Sequence, residues 1–205
     1  MSYSHIKAII FDFGNVLIEW NPRNVYRDYF LNDPEGMEHF LEEVDFMGWN
    51  AQQDKGRTFK EGVISLSVQF PQHTHLIQAY HDRWKDSIGH AHWGTVDILK
   101  QLQEKGYLLY GLSNWSAETF PYAREKYDFF DLFDDMVISG EVGHVKPEPE
   151  IFHILLDKIK RPANECLFID DSQPNTDRAR RLGFETIHYL STEQLAGELK
   201  SMRLL

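Results

Sequence analysis

The sequence predicts an α/β protein: a doubly wound parallel sheet core with helices on both faces and an inserted helical cap domain. Three observations carry this. Short apolar runs of buried-strand length alternate with helical patterns through most of the chain. Several of these runs finish on a polar residue, as at Asp12, Ser113 and Asp170. One segment, residues 18–88, breaks the alternation and offers helical patterns without a convincing strand.

Each element follows from its own residues. "KAIIFDF" is a β-branched-rich run ending at Asp12. "GTVDILKQLQEKG" reads as a helix closed by Gly106. "YLLYGLSN" and "DMVISGEVG" are the next strands. "KPEPEIFHILLDKI" is a helix with Pro147 and two glutamates at its start, and Ile151, Ile154, Leu155 and Ile159 share a face. "ECLFIDD" is a strand, "NTDRARRLG" a helix stopping at Gly183, "FETIHYL" a last strand and "TEQLAGELKSM" a last helix. In the insert, "HTHLIQAYHDRWKDSI" places Leu76, Ile77, Tyr80 and Trp84 on one helical face. The expected division is a core of residues 1–17 and 89–205 around a small bundle of residues 18–88. The linkers fall at "EWNP" and "GHAHWG".

Composition narrows the functional classes. The chain of 205 residues is 42% hydrophobic and 26% charged, an ordinary globular balance. With 32 acids against 21 bases its net charge is −11, which argues against a nucleic-acid surface. Solubility explains the acidity; an anionic substrate remains open, because a metal or a single lysine reverses the local sign. Cys166 stands alone, so no intrachain disulfide forms. No apolar run approaches the roughly 20 residues that span a bilayer. The start "MSYSHIKAII" lacks a basic segment followed by an apolar one, so the expected location is the cytoplasm. The sequence leaves oligomeric state open.

In an open parallel sheet the ligand site lies beyond the carboxyl ends of the strands. That topology gathers Asp12, Ser113 with Asn114, Asp170 with Asp171, and Lys146 from "GHVKPEPE". Alone, each has an ordinary explanation: a strand-end aspartate caps a helix, Ser-Asn forms a turn, and the lysine is a solvated base. Together they form a cluster. Three carboxylates held close repel one another and need cations. Lys146 supplies one positive charge and a bound Mg²⁺ would supply two. An all-oxygen ligand set suits Mg²⁺ rather than zinc, and the neutralised site would receive a phosphate dianion.

"DFGNV", "LSN", "VKPEP" and "FIDDS", in this order, resemble the four signature motifs of the haloacid dehalogenase superfamily. The helical insert is similar to the C1-type cap of subfamily I, and the resemblance covers nearly the whole chain. It implies a Rossmann-like core and a Mg²⁺-dependent hydrolase of a small phosphorylated metabolite. Asp12 would be the nucleophile, forming an aspartyl-phosphate that water hydrolyses. Mg²⁺ would be held by Asp12, the Gly14 carbonyl and Asp171, with Asp170 binding directly or through water. Ser113 and the backbone near Asn114 would bond the phosphoryl oxygens, and Lys146 would neutralise developing charge.

One position departs from the pattern. Family phosphatases usually carry a second aspartate two residues after the nucleophile, as the proton donor to the leaving oxygen; here that residue is Gly14. General-acid help is worth about 10²–10⁴-fold. Three readings follow: a phosphatase with another proton source, acting on a sugar phosphate whose anomeric oxygen leaves readily; a 2-haloacid dehalogenase, whose halide needs no proton; or a non-catalytic binding protein of the same fold. The "DDS" carboxylates fit metal chemistry better than the dehalogenase. Gly14 would also supply a positive φ at a turn.

The cap segment "DFMGWNAQQDKGRTF" is the candidate lid, with Trp49 as a substrate contact beside Asn50, Gln53 and Arg57. Trp49 equally suits the cap core. The pairs His73 with His75 and His90 with His92 lack a third zinc ligand and read as surface residues. His144, two residues before Lys146, is a candidate source for the missing proton, although a surface-loop histidine is the plainer reading.

Overall fold

A computed structural model describes residues 3–205. Strand β1 (Ala8–Phe11) is the centre of a five-stranded sheet. The remaining strands are β2 (Ile18–Trp20), β3 (Ile88–Ala91), β4 (Leu108–Ser113), β5 (Asp135–Ile138), β6 (Cys166–Asp170) and β7 (Glu185–His188). The main sheet runs β5-β4-β1-β6-β7, and every neighbouring pair is parallel. From β1 the chain first winds outward through β4 and β5. It then returns to the other side of β1 for β6 and β7. The reversal of direction between β1 and β6 opens a crevice at the carboxyl ends, where ligands bind in such sheets.

Alternation along each strand sends side chains to two cores. Ile9, Phe11, Leu109, Leu167 and Ile169 join one cluster, while Ala8, Ile10, Tyr110, Leu112 and Phe168 join the other. The first is covered by α6 (Trp93–Glu104), α7 (Phe120–Lys126) and α11 (Thr192–Ser201). The second is covered by α9 (Pro149–Ile159) and α10 (Gln173–Arg181), with Ile151, Phe152 and Leu155 buried as the helical spacing requires. A short helix, α8 (Ser139–Val142), follows β5. Gly111 is needed for packing: a Cβ there would sit 2.2 Å from the Phe13 ring. The helix predicted from Pro147 begins at Pro149 instead; the Lys146–Pro147 peptide is cis.

The cap comprises α1 (Arg23–Tyr26), α2 (Pro34–Glu43), α3 (Phe46–Asp54), α4 (Phe59–Gln69) and α5 (Thr74–Arg83). It has its own core, in which Tyr26, Phe40, Phe46, Trp49, Phe59 and Tyr80 pack edge to face. Thr58 and Glu61 form a capping box at the start of α4. The insert is not wholly helical. Its two crossings, β2 and β3, pair antiparallel as a ribbon that joins cap to core. Strands of three and four residues are too short to show period-2 alternation, so the sequence concealed them. Among the described residues, no helix is long and apolar enough to cross a membrane.

Candidate active site

The carboxyl ends of β1, β4 and β6 bring the predicted polar residues together. Asp12 follows β1 directly, and three donors converge on its Oδ1: the Phe13 N–H at 2.7 Å, Ser113 Oγ at 2.8 Å and Lys146 Nζ at 2.9 Å. Its Oδ2 accepts no hydrogen bond from the described residues. Lys146 Nζ also donates to Asp170 Oδ2 at 2.6 Å and to the Leu112 carbonyl at 2.8 Å. Asp170 is filled on both oxygens. The Ser172 N–H and Asn175 Nδ2 donate to Oδ1 at 2.8 and 2.9 Å, and Asn175 reaches Oδ2 at 3.1 Å.

The Asn114 side chain joins two loops of the site. Its Nδ2 donates to the Lys146 carbonyl at 3.0 Å and its Oδ1 accepts the Lys146 N–H at 2.8 Å. This reciprocal pair ties the loop after β4 to the loop carrying Lys146, so the Asn114 side chain positions the lysine. Asp171 is held from both sides: Asn15 Nδ2 donates to its Oδ2 at 3.3 Å, and His188 Nε2 donates to its carbonyl at 2.8 Å.

Gly14 does not adopt the positive φ expected of it. The left-handed residue is Asn15, at φ 56°. Asparagine tolerates that conformation, and its side-chain oxygen there accepts the Trp20 N–H at 3.0 Å.

Oxygen atoms of Asp12, Asp170 and Asp171 lie within 4.8 Å of one another. Among the described residues, Lys146 is the single ammonium set among the three carboxylates. Burial pushes the Asp12 carboxyl up to about 7 against the pull of Lys146, with Asp170 and Asp171 adding to the rise. Burial and then the charge of Asp170 raise Asp171 as well. Burial works to lower the Lys146 ammonium, but Asp12 and Asp170 outweigh it and hold it above its ordinary value. The cluster is therefore short of positive charge. Its donors are all hard oxygens, and one Asp12 oxygen lacks a partner. These features fit a divalent cation of the magnesium type.

A cavity of about 460 Å³ opens from this cluster toward the cap. Asp12, Gly14, Ser113, Asn114, Lys146 and Asp171 line its floor. Trp49 does not line it. Its side chain is 6% exposed in the cap core and its Nε1 donates to the Gly62 carbonyl at 2.9 Å. The lid face of α3 is formed by Met47, Asn50, Ala51 and Asp54. Gln53 and Arg57 bond each other at 2.6 Å and stay out of the cavity. Asp54, in the same segment, lines the cavity with no sequence motif to mark it. Burial pushes its carboxyl up to about 7, against hydrogen bonds from the Ser116 N–H and Asn50. His144 pairs with Glu148 at 3.3 Å and is not among the lining residues.

This sheet, its switch-point carboxylates and the lid above them define a hydrolase core under a helical cap. The haloacid dehalogenase-like hydrolase family model matches residues 6–183, and the chain belongs to that family. It is 25% identical over 199 residues to a sesquiterpene phosphatase of Aspergillus oryzae, covering 96% of both chains. It is 23% identical to a D-ribitol-5-phosphate phosphatase of Bacteroides thetaiotaomicron, covering 88% of this chain and 90% of that one. A drimenol cyclase of Aspergillus calidoustus is 32% identical across 96% of this chain, which spans only 36% of the cyclase. Among solved structures, a HAD family enzyme from Bacteroides thetaiotaomicron in complex with magnesium and inorganic phosphate superposes with a TM-score of 0.67. It is 27% identical, over 91% of this chain and 95% of that chain.

Proposed function

We propose that this protein is a Mg²⁺-dependent phosphomonoester hydrolase that works through an aspartyl-phosphate on Asp12, under a C1-type cap. The observation that carries this reading is the hydrogen bonding of Asp12. One oxygen is saturated by Phe13, Ser113 and Lys146, and the other is open toward the cavity. A nucleophile needs that asymmetry: a fixed carboxylate with one face left free.

The chain's own residues divide the work. Asp12 attacks phosphorus, and the oxygen–phosphorus bond to the alcohol breaks as the new bond forms. Lys146 holds Asp12 in place and neutralises charge gathering on the phosphoryl oxygens. Ser113 orients the attacking carboxylate. Asn114 sets the lysine. Asp12, Asp171 and the Gly14 carbonyl would hold the magnesium ion, with Asp170 reaching it through water because both its oxygens are already bonded. The ion supplies the positive charge that one lysine cannot. The relatives named as phosphatases, and the neighbour holding magnesium and phosphate, support this reading.

The test is phosphate release from p-nitrophenyl phosphate with Mg²⁺ and with EDTA, beside halide release from 2-chloropropionate. Phosphate release abolished by chelation is expected. Halide release unaffected by EDTA would replace the phosphatase with a dehalogenase. No turnover of either compound would leave a binding protein.

A further inference from the structure

Above the carboxylates the cavity becomes apolar. Trp20 comes from the hinge ribbon, Met47, Phe59, Tyr80 and Trp84 from the cap or its junction, and Trp115 from the core. Of the polar groups set among them, Asn50 Nδ2 donates to Asp54 Oδ2 at 3.0 Å, which leaves Asp54 facing the ester oxygen, and the hydroxyls are largely engaged. Ser87 Oγ donates to the Trp84 carbonyl at 2.5 Å, Thr119 Oγ1 accepts from Trp115 Nε1 at 3.1 Å, and Ser116 Oγ accepts from the Glu118 N–H at 3.2 Å. The Tyr80 hydroxyl lies within hydrogen-bonding reach of the Trp20 and Ser87 side chains. A polyhydroxylated body placed here would lose water and gain few partners, which is costly for each hydroxyl.

We propose that the alcohol half of the substrate is apolar. The ligand is the phosphate monoester of an alkyl or other hydrocarbon alcohol, its phosphate on Asp12 and its chain against Trp20, Trp84 and Trp115. This rests on the phosphatase reading. It turns away from the sugar phosphate expected from the sequence.

The experiment compares ethyl, n-butyl, n-hexyl and n-octyl phosphate with glucose 6-phosphate and p-nitrophenyl phosphate, all with Mg²⁺. Calorimetric binding of n-butylphosphonate and n-octylphosphonate runs alongside. Each methylene buried is expected to raise kcat/KM by about 2–4-fold, and Met47→Asp should flatten that series. Turnover of p-nitrophenyl phosphate with a flat alkyl series, or with glucose 6-phosphate preferred, overturns the apolar site and leaves the phosphatase standing. If no ester is hydrolysed, the phosphatase reading falls and the phosphonates decide: n-octylphosphonate bound at least 10-fold tighter upholds the apolar site, and equal binding overturns it.

A different observation carries a second inference. The acid usual after the nucleophile is absent at Gly14, yet the cap contributes one carboxyl to the cavity, Asp54. It is anchored across the seam, with the Ser116 N–H on its carboxyl and Ser139 Oγ donating to its carbonyl at 2.5 Å. We infer that Asp54 protonates the leaving oxygen, again on the phosphatase reading. As the bond from phosphorus to the alcohol breaks, its electron pair stays on oxygen and takes the Asp54 proton. The Asp54 carboxylate then accepts a proton from the water that cleaves the aspartyl-phosphate. The raised carboxyl, near neutrality, suits both steps.

Asp54→Asn tests this through kcat/KM, which reports transfer to Asp12 alone. A loss of about 10²–10⁴-fold is expected for n-octyl phosphate, and a much smaller one for p-nitrophenyl phosphate, whose leaving group needs little protonation. An equal loss on both esters, or none, overturns the assignment. Should Asp54→Asn melt early, Asp54→Ser is read on the same two esters. If wild-type protein hydrolyses neither ester, the phosphatase reading falls and this assignment with it.

Discussion

Lys146 and Asp170 form an ion pair of 2.6 Å in which neither side chain exceeds 1% exposure. Such a pair is weak evidence of stability, because desolvating both charges offsets most of their attraction. Breaking it is another matter. Lys146→Met would leave Asp170 and Asp12 buried with no ammonium. Unfolding in urea should show a loss of about 3–5 kcal/mol without metal. Saturating Mg²⁺ should restore part of that loss by binding the folded state. A loss below about 1 kcal/mol would mean that the carboxylates are stabilised by something other than Lys146.

The metal-free protein should lose stability as pH rises from about 4.5 to about 7. Folded Asp12 and Asp54 both titrate near 7, above the ordinary carboxyl value of 3.8. In that window the folded state holds more protons than the unfolded state, so unfolding free energy falls with pH. Their contribution is fully present below 3.8 and is gone above 7. Glu38, Glu43, Glu61 and Glu148 are lowered and act in the opposite sense only below the window. Urea midpoints across this range should fall, Asp54→Asn should shallow the slope, and Mg²⁺ should remove the share belonging to Asp12. A midpoint rising through the window would contradict the burial of both carboxyls.

The strands and the polar cluster were legible because strands buried on both faces read as unbroken apolar runs, which makes a terminal Asp12 or Asp170 conspicuous. What stayed hidden depends on orientation and on very short elements. Phe46, Trp49, Asn50 and Gln53 are all buried in α3. Their spacing i, i+3, i+4, i+7 places Trp49 inward, whereas residue type alone suggests a lid contact. Asp54, one position beyond Gln53, turns to the cavity and carries no motif. Glycine is the usual occupant of a left-handed turn, yet here Asn15 takes it and Gly14 does not.

Besides the anchoring of Asp54, a helix terminus fastens the cap to the core. The N–H of Phe59, first residue of α4, donates to Glu118 Oε2 at 2.8 Å across the seam. That N–H has no partner within its own helix, and a carboxylate there also faces the positive end of the helix dipole. Nearby, Lys55 Nζ meets Glu148 at 2.6 Å; both of these side chains are partly exposed, whereas the Phe59 N–H that Glu118 accepts belongs to a buried residue. Glu118→Gln should therefore favour an open cap, raising KM for an alkyl phosphate while shifting the melting temperature little. Lys55→Ala should change KM less, as exposed pairs contribute little. A larger KM effect from Lys55→Ala would move the fastening point to the salt bridge.

Gly14 can be given back the side chain its family usually carries. A Cβ there meets nothing within 4 Å, and its φ is not left-handed, so Gly14→Asp needs neither repacking nor backbone strain. In a protein already altered by Asp54→Asn, the added carboxyl should recover at least about 10-fold of the lost kcat/KM on n-octyl phosphate, a fraction of what general acids supply. On p-nitrophenyl phosphate it should recover little, because that leaving group departs unprotonated. In otherwise unchanged protein the gain should be small, since Asp54 already donates. A large gain in unchanged protein would show instead that the native site works without an acid, and that departure of the alcohol limits transfer to Asp12.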